Sequence, residues 1–237
     1  MDQQVGPEPR ATVADPVPAR DAASHFHDAL EAPYPCQMCV NFDDAWGGIL
    51  ERLYARAGGF EGHDGDKVLG LLVWAAVRHL QPAVVVETGV ARGLTTACIL
   101  SALRINGSGK LWSIDLPAVH PKWRHESGIA VPADWRGRWT YVRGPSRRRL
   151  PALLREVPPV GLFVHDSLHS AANMRFEFGL AWPSLAAGGV LVSDDIEGNR
   201  AFENFVGTAP GLSDWFAVRQ ADKDAMVGVA VKARPAT

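Results

Sequence analysis

Five short apolar runs, each closing on an acid or a glycine and each followed by a loop or a helical pattern, set the limits on how this chain can fold. They are AVVVE (83–87), KLWSID (110–115), RWTYVRG (138–144), GLFVHD (161–166) and VLVSDD (190–195). Each has strand length, and several are apolar at consecutive positions. A strand that is apolar on successive residues has two buried faces, which requires a parallel sheet covered by helices on both sides. LTTACILSALR, SRRRLPALLREV, SAANMRFEFGLAWPSL and AFENFVG supply helices. FAVRQ and MVGVAVKA, separated by Ala-Asp-Lys-Asp, read as a terminal hairpin. The expected fold is a doubly wound α/β domain: a mostly parallel seven-stranded sheet, helices on both faces and a C-terminal antiparallel hairpin.

Two helical patterns precede the first strand, DDAWGGILERLYARAG and the strongly apolar DKVLGLLVWAAVRHL (66–80). Residues 1–41 are proline-rich and show no apolar period, which predicts a poorly ordered arm and leaves 42–237 as one domain. The apolar 66–80 helix and the eight tryptophans leave room for a homodimer face. A net charge of −2 and a pI near 6.4 give no general drive toward nucleic acid or an anionic membrane, and the basic triplet Arg147, Arg148, Arg149 is too short to change that. MDQQVGPEPRATVADPVPAR has no apolar core of a secretory leader, and no segment has membrane-spanning length, so a cytoplasmic location is expected. Cys36 and Cys39 form a lone C-x-x-C. A structural zinc needs four ligands and no second pair follows in sequence, so the two read as reduced thiols packed near a helix start.

Ligands of such sheets bind beyond the carboxyl ends of the strands, where the strand order reverses. Glu87, Asp115, Gly144, Asp166 and the pair Asp194, Asp195 all fall at such ends. After the first strand the turn reads G-V-A-R-G, so Ala91 stands where a dinucleotide fingerprint has the glycine that admits a pyrophosphate. Glu87 at the turn would repel a diphosphate and help hold an ammonium group. Asp115 is placed to accept ribose hydroxyls. The ligand inferred is a nucleoside with a cationic amino-acid tail, and S-adenosylmethionine fits.

With those residues the chain resembles the class I S-adenosylmethionine-dependent methyltransferases over residues 42–237. E-T-G-V-A-R-G-L-T looks like that family's first motif, which implies cofactor contacts from Glu87, Thr88, Gly89, Ala91, Gly93 and Thr95. Asp115 with Leu116 looks like the second, and GPSRRRLPALL like the segment beside the adenine, implying Gly144 and Ser146. The closest likeness is to metal-dependent small-molecule O-methyltransferases of the catechol type and of antibiotic-sugar pathways. By that resemblance H-D-S-L-H and V-S-D-D-I would place Asp166, Asp194 and Asp195 on a divalent cation such as Mg²⁺, with Asp166 also near the cofactor and His169 as general base. The catechol type has Lys where this chain has His169 and Asn where it has Asp195, so its phenol specificity is not carried over.

Blander roles stand beside these. His169 also reads as a cap or supporting partner, and the acidic pair as an N-cap for a helix beginning near Asn199. His165 precedes the strand-end acid and is expected to face the other side of the sheet, in a structural role. The long connection 117–137, with His120, Trp123 and His125, reads either as a lid over the substrate or as a surface excursion. The activity expected is methyl transfer to a small-molecule acceptor, at a hydroxyl. An NAD-dependent oxidoreductase on the same fold is disfavoured by Ala91 and Glu87. A non-catalytic nucleoside-binding subunit is disfavoured by the grouping of His169 with three aspartates.

Overall fold

The computed structural model describes residues 15–59, 65–116, 127–220 and 224–235. Its sheet contains β1 (Val17–Pro18), β2 (Val84–Thr88), β3 (Lys110–Asp115), β4 (Trp139–Arg143), β5 (Val160–His165), β6 (Leu185–Ser193), β7 (Leu212–Arg219) and β8 (Met226–Lys232). The helices are α1 (Ala22–Ala29), α2 (Phe42–Ala57), α3 (Lys67–Leu80), α4 (Leu94–Asn106), α5 (Ser146–Glu156), α6 (Ala171–Ser184) and α7 (Ala201–Val206). The strand order is β1-β7-β8-β6-β5-β2-β3-β4, so the sheet has eight strands rather than the seven expected. The additional one is a two-residue strand from the N-terminal segment, parallel to β7. β2 to β6 run parallel, and β8 is antiparallel to both of its neighbours.

Alternation along the strands divides the core in two. Val85, Leu162, Val164, Val190 and Val192 pack with residues of α1 to α4 on one face. Val84, Val86, Phe163 and Leu191 pack with residues of α5 to α7 on the other. Two-sided burial is the reason these strands read as unbroken apolar runs. Helix α3 starts where the Asp66 carboxylate accepts the Leu69 amide at 2.8 Å, and stops at Gln81, which adopts a left-handed backbone before Pro82. Val68 to Val77, with the exception of Leu71, are buried within the chain, so the apolar excess of this helix goes into the core of its own chain.

The N-terminal segment departs from the expected loose arm. Val17, Ala22 and Phe26 belong to the core, with Ala22 and Phe26 fully buried. Three apolar residues spread over a short strand and a two-turn helix are too few to register as a period, yet they bury a full aromatic side chain, worth roughly 1.5–3 kcal/mol. Residues 1–14 lie outside the described residues, as do 117–126 with the suggested lid residues His120, Trp123 and His125. Among the described residues no helix is long and apolar enough to cross a membrane.

Candidate active site

Parallel register sets the edge. Thr88 pairs with both Ile114 and His165, and His165 pairs with Ser193. The residues at or just beyond these positions therefore line up in the order Asp194, Asp166, Gly89, Asp115 and Gly144. Backbone bonds lock the alignment: the Asp166 amide donates to Thr88 O, Gly89 to Ile114 O, Gly144 to Asp115 O and Asp194 to His165 O, at 2.8–2.9 Å. The order of strands reverses at β2, which has β3 on one side and β5 on the other. At this point opens a cavity of about 660 Å³, within the range of small-molecule sites, roughly 300–1,000 Å³.

Seven of the sequence-predicted cofactor residues line it: Gly89, Ala91, Asp115, Leu116, Gly144, Ser146 and Asp166. Leu116 and Leu168, both exposed, add apolar surface to the same lining. Ala91 takes a left-handed backbone (φ 44°) and turns its amide to Asp115 Oδ2, 3.2 Å away. Burial raises the Asp115 carboxyl above its usual range, opposed by the backbone amides of Ala91, Leu116 and Val90. Gly89 is required for a reason the sequence did not disclose. Its φ is 87°, and an added Cβ would lie 1.8 Å from the Asp166 carbonyl oxygen, so the glycine allows β2 and β5 to meet below the cavity. Gly93 (φ 88°) opens α4, and a Cβ there would stand 2.8 Å from Gly128 Cα.

Glu87, Thr88, Gly93 and Thr95 stand outside the lining. β2 runs one residue further than the apolar reading allowed, to Thr88, and alternation then turns Glu87 onto the face of Val85, under α4. There Glu87 is fully buried. Its Oε2 accepts from Ser113 Oγ (2.6 Å) and Thr96 Oγ1 (2.8 Å), tying β3 and α4 to β2. Desolvation pushes its carboxyl up to about 8, against those two hydroxyls and with help from the charge of Asp115. An ammonium-binding role at the turn is thus replaced by a structural one. Thr95 supports the site from behind, donating from Oγ1 to Asp166 Oδ2 at 3.2 Å.

Beside Asp166, His169 Nδ1 lies 3.0 Å from Asp195 Oδ2, and its Nε2 faces Asp166 Oδ1 at 4.0 Å. The three side chains are 20–32% exposed. Asp195 reaches the imidazole because its own backbone is left-handed (φ 48°). Asp194 is nearly buried, with Oδ1 accepting from Gln220 Nε2 at 2.6 Å. Burial first, then the charges of Asp194, Glu87 and Asp195, hold the Asp166 carboxyl well above the carboxylate range, with Thr95 opposing. One ligand atom each from Asp166, His169 and Asp194 falls within 4.8 Å of the others. This set differs from the expected Asp166, Asp194 and Asp195 in exchanging Asp195 for His169. Neither capping role holds: Asn199 Oδ1 accepts the Ala201 amide at the start of α7, and Ser170 caps α6.

A buried network below the site was missed. Glu177, on α6, accepts from Thr88 Oγ1 (2.5 Å) and His165 Nδ1 (2.7 Å) at Oε2, and from Asn173 Nδ2 (2.9 Å) and Ser167 Oγ (3.0 Å) at Oε1. Burial would raise this carboxyl. The hydrogen bond and charge of His165, with the Ser146 and Thr88 hydroxyls, outweigh burial and hold it near 2. His165 is accordingly structural, as expected, and its partner sat unnoticed in NMRFEFGL, where an acid among apolar helix residues was the available signal.

A methyltransferase domain family matches residues 86–196. No curated protein sequence matches the chain. Solved structures share the fold at low identity. A Klebsiella pneumoniae protein assigned as a candidate O-methyltransferase is 20% identical, with a TM-score of 0.63 over 89% of this chain and 95% of its own. The O-methyltransferase from Bacillus cereus, solved with SAH, is 16% identical, with a TM-score of 0.61 over 90% of this chain and 100% of its own. TomG from Streptomyces achromogenes, an O-methyltransferase of tomaymycin synthesis solved with SAM, is 16% identical, with a TM-score of 0.62 over 80% and 90%. Residues 86–196 match a methyltransferase domain, and the chain shares the Rossmann-like fold of these solved O-methyltransferases.

Proposed function

We propose that the chain moves a methyl group from S-adenosylmethionine to the hydroxyl of a small-molecule acceptor, with His169 taking the hydroxyl proton. The observation that carries the reading is one cavity lined by both Asp115 and Asp166, with His169 and Asp195 standing next to Asp166. The lining fits the donor: Ala91 stands where a diphosphate-binding turn has a glycine, and Asp115, on the cavity wall at the end of β3, is placed to accept a ribose diol. S-Adenosylmethionine supplies a methyl group already activated by its sulfonium. The chain therefore has to align acceptor and methyl and raise the nucleophilicity of the acceptor.

In this reading His169 Nδ1–H donates to Asp195, which leaves the lone pair on Nε2, toward Asp166. As Nε2 takes the proton, the acceptor oxygen forms its bond to the methyl carbon and the carbon–sulfur bond breaks. Asp195 holds the imidazole orientation and stabilises its charged form.

A divalent cation is a second reading, favoured by the convergence of Asp166, His169 and Asp194 within 4.8 Å. Those residues would hold it, and it would lower the pKa of a bound hydroxyl. Two carboxylates and one imidazole suit Mn²⁺ or a related first-row ion as well as Mg²⁺.

Transfer of labelled methyl groups to a panel of hydroxyl compounds tests both. His169→Ala should slow the chemical step by roughly 10²–10⁴-fold with S-adenosylhomocysteine affinity unchanged. Turnover lost in Asp194→Ala and restored in wild type by added Mg²⁺ or Mn²⁺ after chelation would establish the cation instead. An active His169→Ala enzyme removes the base, and transfer confined to nitrogen or carbon acceptors removes the hydroxyl.

A further inference from the structure

We infer that His27, Cys36, Cys39 and His79 form a structural Zn²⁺ site that clamps the N-terminal segment onto α3. The four side chains come from α1, from the C-x-x-C turn and from the last turn of α3, and one ligand atom from each lies within 4.8 Å of all the others. His27 Nε2 is 3.0 Å from Cys36 Sγ, Cys36 Sγ is 3.3 Å from His79 Nε2, and the two imidazole Nε2 atoms are 2.9 Å apart. Zinc bound at its usual distances places tetrahedral ligand atoms roughly 3.3–3.8 Å apart, so a small expansion of this cluster accommodates the ion.

Supporting contacts aim the donors. His27 Nδ1 is 2.6 Å from Ala23 O, one turn earlier on α1, which puts the ring proton on Nδ1 and leaves Nε2 as a lone-pair donor. The Cys39 amide donates to Cys36 O at 3.3 Å, closing the turn that brings both sulfurs to one side. Arg78 Nε donates to Met38 O at 3.1 Å, fastening that turn to α3 beside His79. Two imidazole lone pairs and a sulfur directed at one another repel unless a proton or a cation lies between them, and two thiolates with two imidazoles match zinc, not a hard oxygen-seeking ion. Four protein ligands fill a tetrahedron and leave no open position, so the site is structural. None of the four lines the cavity.

The clamp explains how a segment with few core residues is held. Between α1 and α2 the chain has no helix or strand, and Tyr34 and Val40 are exposed, so the ion would join the two ends of an otherwise weakly packed connection.

Metal analysis of the full chain, purified from zinc-supplemented culture and desalted, should find zinc equimolar with protein. The Cys36→Ser/Cys39→Ser pair should fall to background, while Cys98→Ser and Asp194→Ala should keep their zinc. Replacing zinc by Co²⁺ in the wild type should give a thiolate-to-cobalt charge-transfer band and the visible bands of a tetrahedral centre, a readout that does not depend on a variant folding. Folded wild-type protein that takes up neither Zn²⁺ nor Co²⁺, cobalt spectra without the thiolate band, or undiminished zinc in a folded cysteine variant would overturn the site.

Discussion

Among the described residues stand two clusters of metal-competent side chains, and they are built in opposite ways. At the carboxyl edge, Asp166, His169, Asp194 and Asp195 gather because parallel strands of matched register end side by side, and the cluster borders a cavity through Asp166. Near the N-terminus, His27, Cys36, Cys39 and His79 gather because α1 and the following turn pack on α3, and that cluster is closed on itself away from the cavity. The first has oxygen donors, one imidazole, and space for a substrate; the second has two sulfurs and two imidazoles and contributes nothing to the cavity lining. The position of a cluster in the fold, more than the residue types alone, separates chemistry from scaffolding.

The sharpest way to break that comparison is to attack the scaffold without touching any ligand. Phe26→Ala removes a fully buried ring from α1, and such truncations cost about 3–5 kcal/mol. The melting temperature should fall by roughly 2–4 °C per kcal/mol in a chain of this size. Affinity for S-adenosylhomocysteine in the remaining folded protein should not change. A thermal scan matching wild type would show that residues 15–30 contribute little to the fold.

A smaller effect separates the buried acids by pH. Glu87 is pushed up to about 8, so between roughly 4.3, its ordinary value, and 8 the folded chain retains a proton that the unfolded chain has lost. Its contribution is full below the ordinary value and is lost as pH rises through about 8. Glu177, held near 2, has the reverse sign: its contribution is present above the ordinary carboxylate range and is lost as pH falls toward 2. Glu87→Gln should therefore flatten a melting-temperature profile between roughly pH 4.3 and 8 and leave its more acid part as in wild type. Parallel profiles for the two proteins would contradict the buried, protonated Glu87.

What could be read before the structure follows the same division. The sheet and its edge were legible because strands apolar on two faces leave a period that sequence retains, and Asp115, Asp166 and Asp194 fall where those runs stop. Glu87 was misplaced because β2 continues one residue past the acid, and a shift of one residue turns a side chain to the opposite face. The zinc ligands could not be paired from spacing: His27 and His79 lie 9 and 43 residues from Cys36 and 52 from each other. Only packing brings them together. Glu177 was hidden in the same sense, since its partners Thr88 and His165 belong to strands distant in sequence and adjacent in the sheet.

Calorimetric titration of the wild-type chain and of Asp115→Ala with S-adenosylhomocysteine, and of the wild type with NAD, tests methyl-donor binding at the carboxyl edge most directly. The wild type should bind S-adenosylhomocysteine in the micromolar range or tighter and should give no heat with NAD. Asp115→Ala should bind more weakly by about 1.5–3 kcal/mol, the worth of a hydrogen bond to a charged group. Binding of NAD in place of S-adenosylhomocysteine, or equal affinity of the variant and the wild type, would contradict the assignment of this cavity.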